Sequence, residues 1–210
     1  MRKLIASTFI SLDGVMQAPG GPDEDPTEGF SLGGWTFAFE DEAMDLSASG
    51  FDGNDRELVL GRKTYDIFES YWPHQSEDNP IAKAFNATKK HVASRTLKSL
   101  KWNNSSLLGP DVGSAIIALK GQPGRDLQVI GSGNLIQTLQ AASLIDEYHV
   151  WVYPVVLGRG KRLFEHGAKP GALRLVGSKV SPTGVMMNTY VPAGEILTGT
   201  VGPTEPNAKN

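Results

Sequence analysis

The stretch Leu127–Leu139, LQVIGSGNLIQTL, predicts the fold of this chain more clearly than any other part of the sequence. Its apolar start indicates a buried strand, and the turn Gly131-Ser132-Gly133 follows. Leu135, Leu139 and Ala142 are then spaced as on the apolar face of a helix. Glycines let backbone N–H groups approach a ligand, and a helix N-terminus attracts anions. The stretch therefore predicts strand, turn and helix with a seat for a phosphate, although glycines at such a turn can also serve packing alone.

The composition of the 210 residues is that of an ordinary globular protein, with 40% hydrophobic and 20% charged residues. A net charge of −3 argues against a general nucleic-acid-binding protein. The absence of cysteine excludes disulfides, thiolate metal sites and cysteine nucleophiles. No apolar run is long enough to span a membrane, and polar residues within the first apolar stretch favour a buried strand over a signal peptide. We therefore expect a cytoplasmic protein with one domain over 1–192 and a polar, disordered tail over 193–210.

Two further strand ends carry residues that bind anions. A predicted strand over Arg56–Gly61 passes directly into a helix that begins with Arg62-Lys63. Two cations there oppose the helix dipole, which a solvated face can tolerate and which a bound phosphate would make favourable. Another predicted strand ends at Ser94-Arg95-Thr96, which is either a second anion site or an ordinary polar loop. Because parallel strands end at the same edge of a sheet, the three turns together favour a ligand with several phosphates, such as a dinucleotide.

The first predicted strand, Lys3–Leu12, ends at Asp13-Gly14. This acid lies either at the ligand-binding edge of the sheet or in a plain Asp-Gly turn. The Gln17–Gly34 segment has no periodicity and is rich in glycine, proline and acidic residues, which predicts a functional lid or a disordered loop. The aromatic residues from Trp35 onward either line a pocket or pin this loop to the core, and Glu40–Ser49 is a short predicted helix.

The C-terminal third predicts a change to antiparallel pairing. Tyr148–Leu157 is a long predicted strand, followed by the basic loop Leu157–Phe164, which is another anion contact or a surface turn. Leu173–Val180 and Val185–Val191 alternate in polarity on either side of a Ser-Pro-Thr-Gly turn and predict a hairpin. The four histidines have no metal-ligand spacing, so we expect no metal site.

Together these motifs resemble those of the dihydrofolate reductase-like superfamily. Within it, the chain resembles the C-terminal reductase domain of the bifunctional riboflavin-biosynthesis deaminase-reductase and its stand-alone, single-domain relatives. The deaminase half and its zinc-type cluster are not found in this sequence. The resemblance covers roughly residues 2–192 and rests on Ser11–Gly14, Leu60–Tyr65, Ser94–Thr96, Val129–Gly133 and Asp146–Phe164.

The resemblance implies a three-layer α/β/α fold whose mixed, mostly parallel sheet ends in an antiparallel C-terminal hairpin. It also implies NADPH as hydride donor, a small-molecule substrate, and a homodimer paired through the C-terminal strands. In relatives, the turns matching Gly61–Thr64 and Gly131–Gly133 hold the pyrophosphate, and the segment matching Ser94-Arg95 faces the adenosine 2′-phosphate. The candidate cofactor-binding residues are Gly61, Arg62, Lys63, Thr64, Ser94, Arg95, Gly131, Ser132, Gly133 and Asn134.

The chain departs from both branches of the superfamily at the second phosphate turn. Riboflavin reductases carry an acid where this chain has Ile130, and dihydrofolate reductases carry a third glycine where it has Ser132. The resemblance places Asp13 in the active site, where it would orient or protonate the substrate. Dihydrofolate reductases instead use an acid on the first helix. The candidate site residues on this side are Asp13 as the catalytic residue and Gln17, Trp35, Asp41 and Glu42 as substrate-binding residues.

Three functions remain open at this point. The first is an NADPH-dependent reductase of a small heterocycle, resembling the reductase that acts on 5-amino-6-(5-phosphoribosylamino)uracil in riboflavin biosynthesis. The second is a pterin reductase of the dihydrofolate reductase type. The third is a non-catalytic nucleotide-binding module, because a fold alone does not establish an activity.

Overall fold

The computed structural model describes residues 1–39, 56–76 and 78–199 of the chain. The predicted helix over Glu40–Ser49 lies outside these ranges. The described strands are β1 (Leu4–Ser11), β2 (Arg56–Gly61), β3 (Lys90–Ala93), β4 (Ser105–Leu107), β5 (Asp126–Ile130), β6 (Glu147–Tyr153), β7 (Leu173–Val180) and β8 (Met186–Pro192). The described α-helices are α1 (Arg62–Tyr71), α2 (Pro80–Ala87), α3 (Val112–Gly121) and α4 (Gly133–Ala141).

The strand, turn and helix predicted from Leu127–Leu139 are present as β5 and α4. The start of α3 also follows from its sequence, because the Asp111 carboxylate accepts a hydrogen bond from the Ser114 N–H at 3.0 Å. Such a side-chain cap satisfies one of the backbone donors that a helix leaves unpaired at its start.

The strand predicted over Tyr148–Leu157 is shorter in the structure. The corresponding strand, β6, ends at Tyr153. The next residue, Pro154, has no N–H group and cannot continue the ladder. The chain turns there, with the Val155 N–H donating to the Tyr153 carbonyl at 2.8 Å.

The eight described strands form one sheet in the order β4-β3-β2-β5-β1-β6-β8-β7. Every pair from β4 to β6 is parallel, whereas β8 is antiparallel to both β6 and β7. This confirms the predicted mixed sheet with an antiparallel C-terminal hairpin. The neighbours β3, β2 and β5 all end at the same edge, so their following turns are brought together.

Helices cover both faces of the parallel part of the sheet, which gives the predicted three layers. Successive residues of β2 point to opposite faces, so Leu58 and Leu60 pack in one core and Val59 in the other. The first core includes Tyr65 of α1 and Phe85 of α2, and the second includes buried apolar side chains of α3 and α4. Burial of each large apolar side chain contributes about 1.5–3 kcal/mol to stability.

Candidate functional site

A cleft of about 1660 Å³ opens along the edge at which β2, β3 and β5 end. Its walls include the three turns predicted to hold phosphates, namely Gly61–Thr64, Ser94–Thr96 and Gly131–Asn134. Ordinary small-molecule sites have volumes of roughly 300–1,000 Å³. The cleft therefore has room for a dinucleotide and a second small molecule.

The turn before α4 is built around Ser132. Gly131 and Ser132 both have positive φ angles, +57° and +59°. Ser132 Oγ accepts a hydrogen bond from the Gly61 N–H at 2.9 Å and donates one to Thr64 Oγ1 at 2.6 Å. A Cβ atom on residue 61 would lie 2.7 Å from Ser132 Oγ, so that position requires glycine. Ser132 thus links the first turns of α1 and α4. The sequence showed a serine in place of the glycine found in dihydrofolate reductases, but it did not indicate this role.

Arg95 lines the cleft at the end of β3 and makes no hydrogen bond or ion pair with the part of the chain that the structure describes. The turn beneath it is fixed by Ser94 Oγ, which accepts hydrogen bonds from the N–H groups of Thr96 at 3.2 Å and Leu97 at 3.0 Å. The other arginine of the predicted set, Arg62, pairs with Asp66 at 3.0 Å on an exposed helix surface. Arg95 therefore offers a guanidinium that is available for bidentate contact with an anion.

The Gln17–Gly34 loop places a buried carboxylate, Asp25, between two lysines of the cleft. Lys63 of α1 donates to Asp25 Oδ1, and Lys161 donates to Asp25 Oδ2 at 2.8 Å. Both ammonium groups also contact Thr27 Oγ1. Burial alone would raise the pKa of Asp25, but the hydrogen bonds from Lys161 and Lys63 outweigh it and hold the pKa well below its usual value. Asp25 is therefore charged and is not a proton donor. Its ion pairs link Lys63 to Lys161, and we call these three residues the brace.

Gln17 holds this brace in place. Its side-chain amide donates to the carbonyls of Asp25 and Thr27, and its Oε1 accepts a hydrogen bond from the Lys161 N–H at 3.0 Å. The Gln17 side chain borders the cleft, but these three bonds occupy its polar atoms.

Trp35 lies outside the lining of the cleft. Its indole N–H donates to the Gln17 carbonyl at 2.8 Å, and its ring packs edge-on against Tyr153 at 5.3 Å. Of the two interpretations of this aromatic residue, the structure favours the one in which it pins the loop to the core.

Asp13 lies at the end of β1 but does not line the cleft. Its carboxylate accepts hydrogen bonds from Ser11 Oγ at 2.6 Å and from the N–H groups of Leu157 at 3.1 Å and Gly158 at 2.9 Å. These bonds, the one from Ser11 above all, lower the pKa of Asp13 to about 2. The same carboxylate also pairs with Arg162 at 3.4 Å. The geometry therefore favours a role in holding the Leu157–Phe164 loop, which carries Lys161, and disfavours one in protonation.

Glu24 is a cleft residue that the sequence interpretation did not single out. Its Oε2 accepts a hydrogen bond from the Gly20 N–H at 2.6 Å. Burial raises the pKa of Glu24, and the negative charge of Asp25 adds to the effect. Neighbouring carboxyl groups with pKa values shifted in opposite directions are a pattern of acid–base sites. The cluster of acids in the loop was visible in the sequence, but not which of them would be buried.

The far end of the cleft is aromatic. Phe68 of α1 stacks on Phe85 of α2 with ring centroids 5.7 Å apart, and Trp72 packs edge-on against both. Ile67 and Ile81 complete this wall. We call these five residues the aromatic wall.

Asp41 and Glu42, two of the predicted substrate-binding residues, lie outside the described residues. Within 1–39, 56–76 and 78–199, no group of three or more histidine, aspartate or glutamate side chains could hold a metal ion. No helix in those same ranges is long and apolar enough to cross a membrane.

Curated relatives of this chain include two proteins of Bacillus subtilis, strain 168. The uncharacterized protein YyaP is 26% identical over 196 residues, which cover 90% of this chain and 94% of that protein. The uncharacterized protein YwjB is 25% identical over 181 residues, which cover 85% and 91% of the two chains.

Solved structures with this fold include a putative riboflavin biosynthesis protein from Shewanella sp. PV-4, with a TM-score of 0.66 and 22% identity over 92% of this chain and 99% of that one. Dihydrofolate reductase from Enterococcus faecalis, solved in complex with NADP(H), has a TM-score of 0.57 and 13% identity over 90% of this chain and 96% of that one. These likenesses confirm the dihydrofolate reductase-like fold. The model of the RibD C-terminal domain matches residues 2–187, and the chain therefore belongs to the RibD C-terminal domain family.

Proposed function

We propose that this protein is an NADPH-dependent reductase of a small heterocyclic substrate. The observation that carries the proposal is the pair of linked helix N-termini, α1 and α4, beside the guanidinium of Arg95, which bonds no residue in the described ranges. Helix N-termini attract phosphates because their N–H groups and dipoles point at the ligand. Membership of the RibD C-terminal domain family supports the same conclusion.

The residues present fit the phosphates of this cofactor. Residue 61 has no room for a Cβ atom next to Ser132, so backbone and not side chain faces the cleft at that point. We assign the pyrophosphate to the turns Gly61–Thr64 and Gly131–Asn134, and the 2′-phosphate to Ser94 and Arg95. When bound, NADPH supplies a hydride to a carbon of the substrate, whose adjacent nitrogen or oxygen gains a proton.

The proton requires a source at the cleft. We propose Glu24 in preference to Asp13, because the pKa of Glu24 is raised by burial whereas that of Asp13 is lowered to about 2. A carboxyl group with a raised pKa keeps its proton nearer to neutral pH and can act as a general acid. Asp13 and Asp25 are assigned a positioning role, since both hold the loop residues around Lys161.

The cofactor assignment is tested by thermal unfolding with NADPH. A ligand at a hundredfold excess over its Kd stabilises the folded state by about 2.7 kcal/mol. Arg95→Ala should lower the preference for NADPH over NADH by about ten- to hundredfold, because it removes a charge-assisted contact with the 2′-phosphate. Arg174→Ala is the matched control, since Arg174 lies on β7 away from the cleft. An unchanged preference in Arg95→Ala would remove this residue from the 2′-phosphate site.

Turnover separates the three candidate functions. NADPH oxidation with a ribosylaminopyrimidine would place the protein with the riboflavin reductases, and oxidation with a pterin would place it with the dihydrofolate reductases. Binding of NADPH without oxidation by any heterocycle of a broad panel would favour the non-catalytic module.

We further propose that the protein is a cytoplasmic homodimer that pairs through its C-terminal hairpin. The support is apolar exposure on β7 and β8, where Leu175 is 51%, Val180 61% and Met186 37% exposed. Stable interfaces bury about 1,600 Å² in total, and such side chains are typical of their centres. Light scattering at micromolar concentration should give a dimer mass, and Leu175→Glu should shift it to a monomer. Ile117→Glu, which changes a residue of α3 that is 60% exposed, should leave the mass unchanged.

A further inference from the structure

The cleft changes its chemical character along α1. Thr64, Phe68 and Trp72 all line it and are spaced at four-residue intervals, so they lie on one side of the helix and its continuation. At 1.5 Å per residue, Trp72 lies about 12 Å along the axis from the phosphate turn at Thr64. The end away from the phosphates is the aromatic wall.

Among the described residues, the part of the lining formed by the second half of α1, by Trp72 and by α2 carries no charged side chain. Phe68 and Trp72 are only partly buried and so keep ring surface for a ligand. Aromatic side chains favour stacked or edge-on contact with another ring. This end of the cleft is therefore suited to a planar, apolar group.

Two lysines of the cleft, Lys63 and Lys161, already share a carboxylate from within the chain, which offsets one of their two positive charges. The Asp25 carboxylate bonds Lys63 and Lys161, and the Thr27 N–H donates to it at 3.2 Å. Gln17 anchors the loop beside this carboxylate through the carbonyls of Asp25 and Thr27. The position that a ligand phosphate would take between these two lysines is thus occupied by a braced carboxylate.

A phosphate could enter only by displacing Asp25. That exchange would leave the Asp25 carboxylate beside a second anion, or break the bonds of Asp25 to Thr27 and the two lysines together. A buried charge that loses its partners is costly. The brace therefore selects against a phosphate group at this place.

We propose that the substrate of this protein is an uncharged compound with a planar apolar ring, bound at the aromatic wall, and that Asp25 excludes phosphorylated compounds from the two-lysine site of the same cleft. The inference rests on the proposed reductase function and specifies its substrate class. It separates this chain from a reductase of ribosylaminopyrimidine phosphates, whose substrate carries the group that Asp25 excludes.

The test compares 1-naphthol with 1-naphthyl phosphate, which share a ring and differ in the phosphate. Binding of each is measured by calorimetry on the full chain with saturating NADPH, so that the cofactor phosphate sites are filled. The wild type should bind 1-naphthol at least tenfold more tightly than 1-naphthyl phosphate. Equal or tighter binding of 1-naphthyl phosphate, or no binding of 1-naphthol, would overturn the proposal.

Variants test the two parts of the site separately. Phe68→Ala should weaken 1-naphthol binding by about tenfold through lost apolar contact, and Phe68→Leu, which keeps most of the volume, should weaken it less. Ile117→Ala, which shortens an exposed apolar side chain of α3 outside the cleft, is the control and should have no effect. Unchanged binding in both Phe68 variants would refute the aromatic wall as the ring site.

Asp25→Asn should improve 1-naphthyl phosphate binding by about tenfold, because the isosteric amide removes the competing negative charge and frees the lysines. No improvement in a folded Asp25→Asn variant would refute the exclusion by Asp25. The NADPH titration is a separate measurement, and its failure would refute the proposed function. If NADPH binds normally but 1-naphthol does not bind more tightly than 1-naphthyl phosphate, only the proposed substrate class is refuted.

Discussion

The two sides of the cleft are built in different ways. On the side of the turns proposed to bind phosphates, which we call the phosphate side, the decisive groups directly follow strands, and each is complete within a few residues, as in Gly131–Asn134. On the loop side, the decisive group is Asp25, whose partners Lys63 and Lys161 lie 38 and 136 residues away in the sequence. Local backbone chemistry therefore defines the first side, and long-range ion pairs define the second.

This difference decides how each side can be altered. A phosphate turn depends on backbone space and φ angles, so its sensitive positions are glycines and their neighbours. The loop side depends on charge, so its sensitive positions are carboxylates that can be replaced by isosteric amides with little change in shape. Variants of the two kinds should affect different measurements.

The largest effect is expected on the loop side, from Glu24→Gln. If Glu24 supplies the proton, this variant should lower kcat by about a hundredfold or more while NADPH binding is retained, which is the usual contribution of a positioned general acid. The rate of the wild type should fall as the pH rises through the pKa of Glu24, because the carboxyl group then loses its proton. Glu24→Gln should lack that fall. The measurement is the pH profile of NADPH oxidation with the best substrate of a heterocycle panel.

Asp13→Asn is the comparison for this prediction. It keeps the shape of the side chain but weakens the hold on Leu157, Gly158 and Arg162, so we expect a milder loss and an unchanged pH profile. A hundredfold loss of kcat in Asp13→Asn together with near-normal turnover in Glu24→Gln would return the proton to Asp13. If only Asp41→Asn or Glu42→Gln lowers kcat, the proton donor is Asp41 or Glu42.

The sequence was sufficient for the fold and for the backbone of the turns to which we assign the cofactor phosphates. Hydrophobic periodicity and glycine turns predicted the strands and helices around Gly61 and Gly131 because these signals are local. The end of β6 was missed by four residues, since a proline can lie at a strand edge and only the pairing shows that the ladder stops before Pro154. The sequence also showed the acids of the Gln17–Gly34 loop, but not that Asp25 and Glu24 would acquire pKa shifts of opposite sign, because those depend on tertiary contacts.

The second prediction concerns the phosphate side and has an intermediate effect. Gly61→Ala would place a Cβ atom 2.7 Å from Ser132 Oγ and 2.9 Å from Ser132 Cβ. Forcing an extra methyl into packed space costs about 1–3 kcal/mol. We expect a lower free energy of unfolding and weaker NADPH binding, measured by denaturant unfolding and calorimetry.

Two variants test whether the clash with Ser132 causes the loss of stability in Gly61→Ala. Gly109→Ala adds the same methyl to a glycine that also lines the cleft but has open space around it, and it should be nearly neutral. Ser132→Gly combined with Gly61→Ala removes the group that the methyl meets, so it should recover part of the lost stability. A double variant no more stable than Gly61→Ala would show that the clash with Ser132 is not the cause.

The smallest effect is expected in the acid stability of the loop side. The pKa of Asp25 is depressed in the folded state, so its ion pairs stabilise the protein above the pKa of an unfolded aspartate and are lost as the pH falls toward the folded value. The wild type should therefore lose stability as the pH is lowered below about 4, the ordinary range of aspartate. Asp25→Asn has no carboxylate to protonate. It should be less stable than the wild type at pH 7, by about 1–3 kcal/mol for the lost charge-assisted bonds, and the difference should shrink on acidification.

Asp23→Asn, an exposed neighbour in the same loop, is the control and should follow the wild type at every pH. Urea unfolding at a series of pH values measures the difference directly. A difference that stays constant from pH 7 to pH 3 would mean that Asp25 braces the cleft through its shape and hydrogen-bonding pattern, and not through the charge on which its selection against phosphate depends.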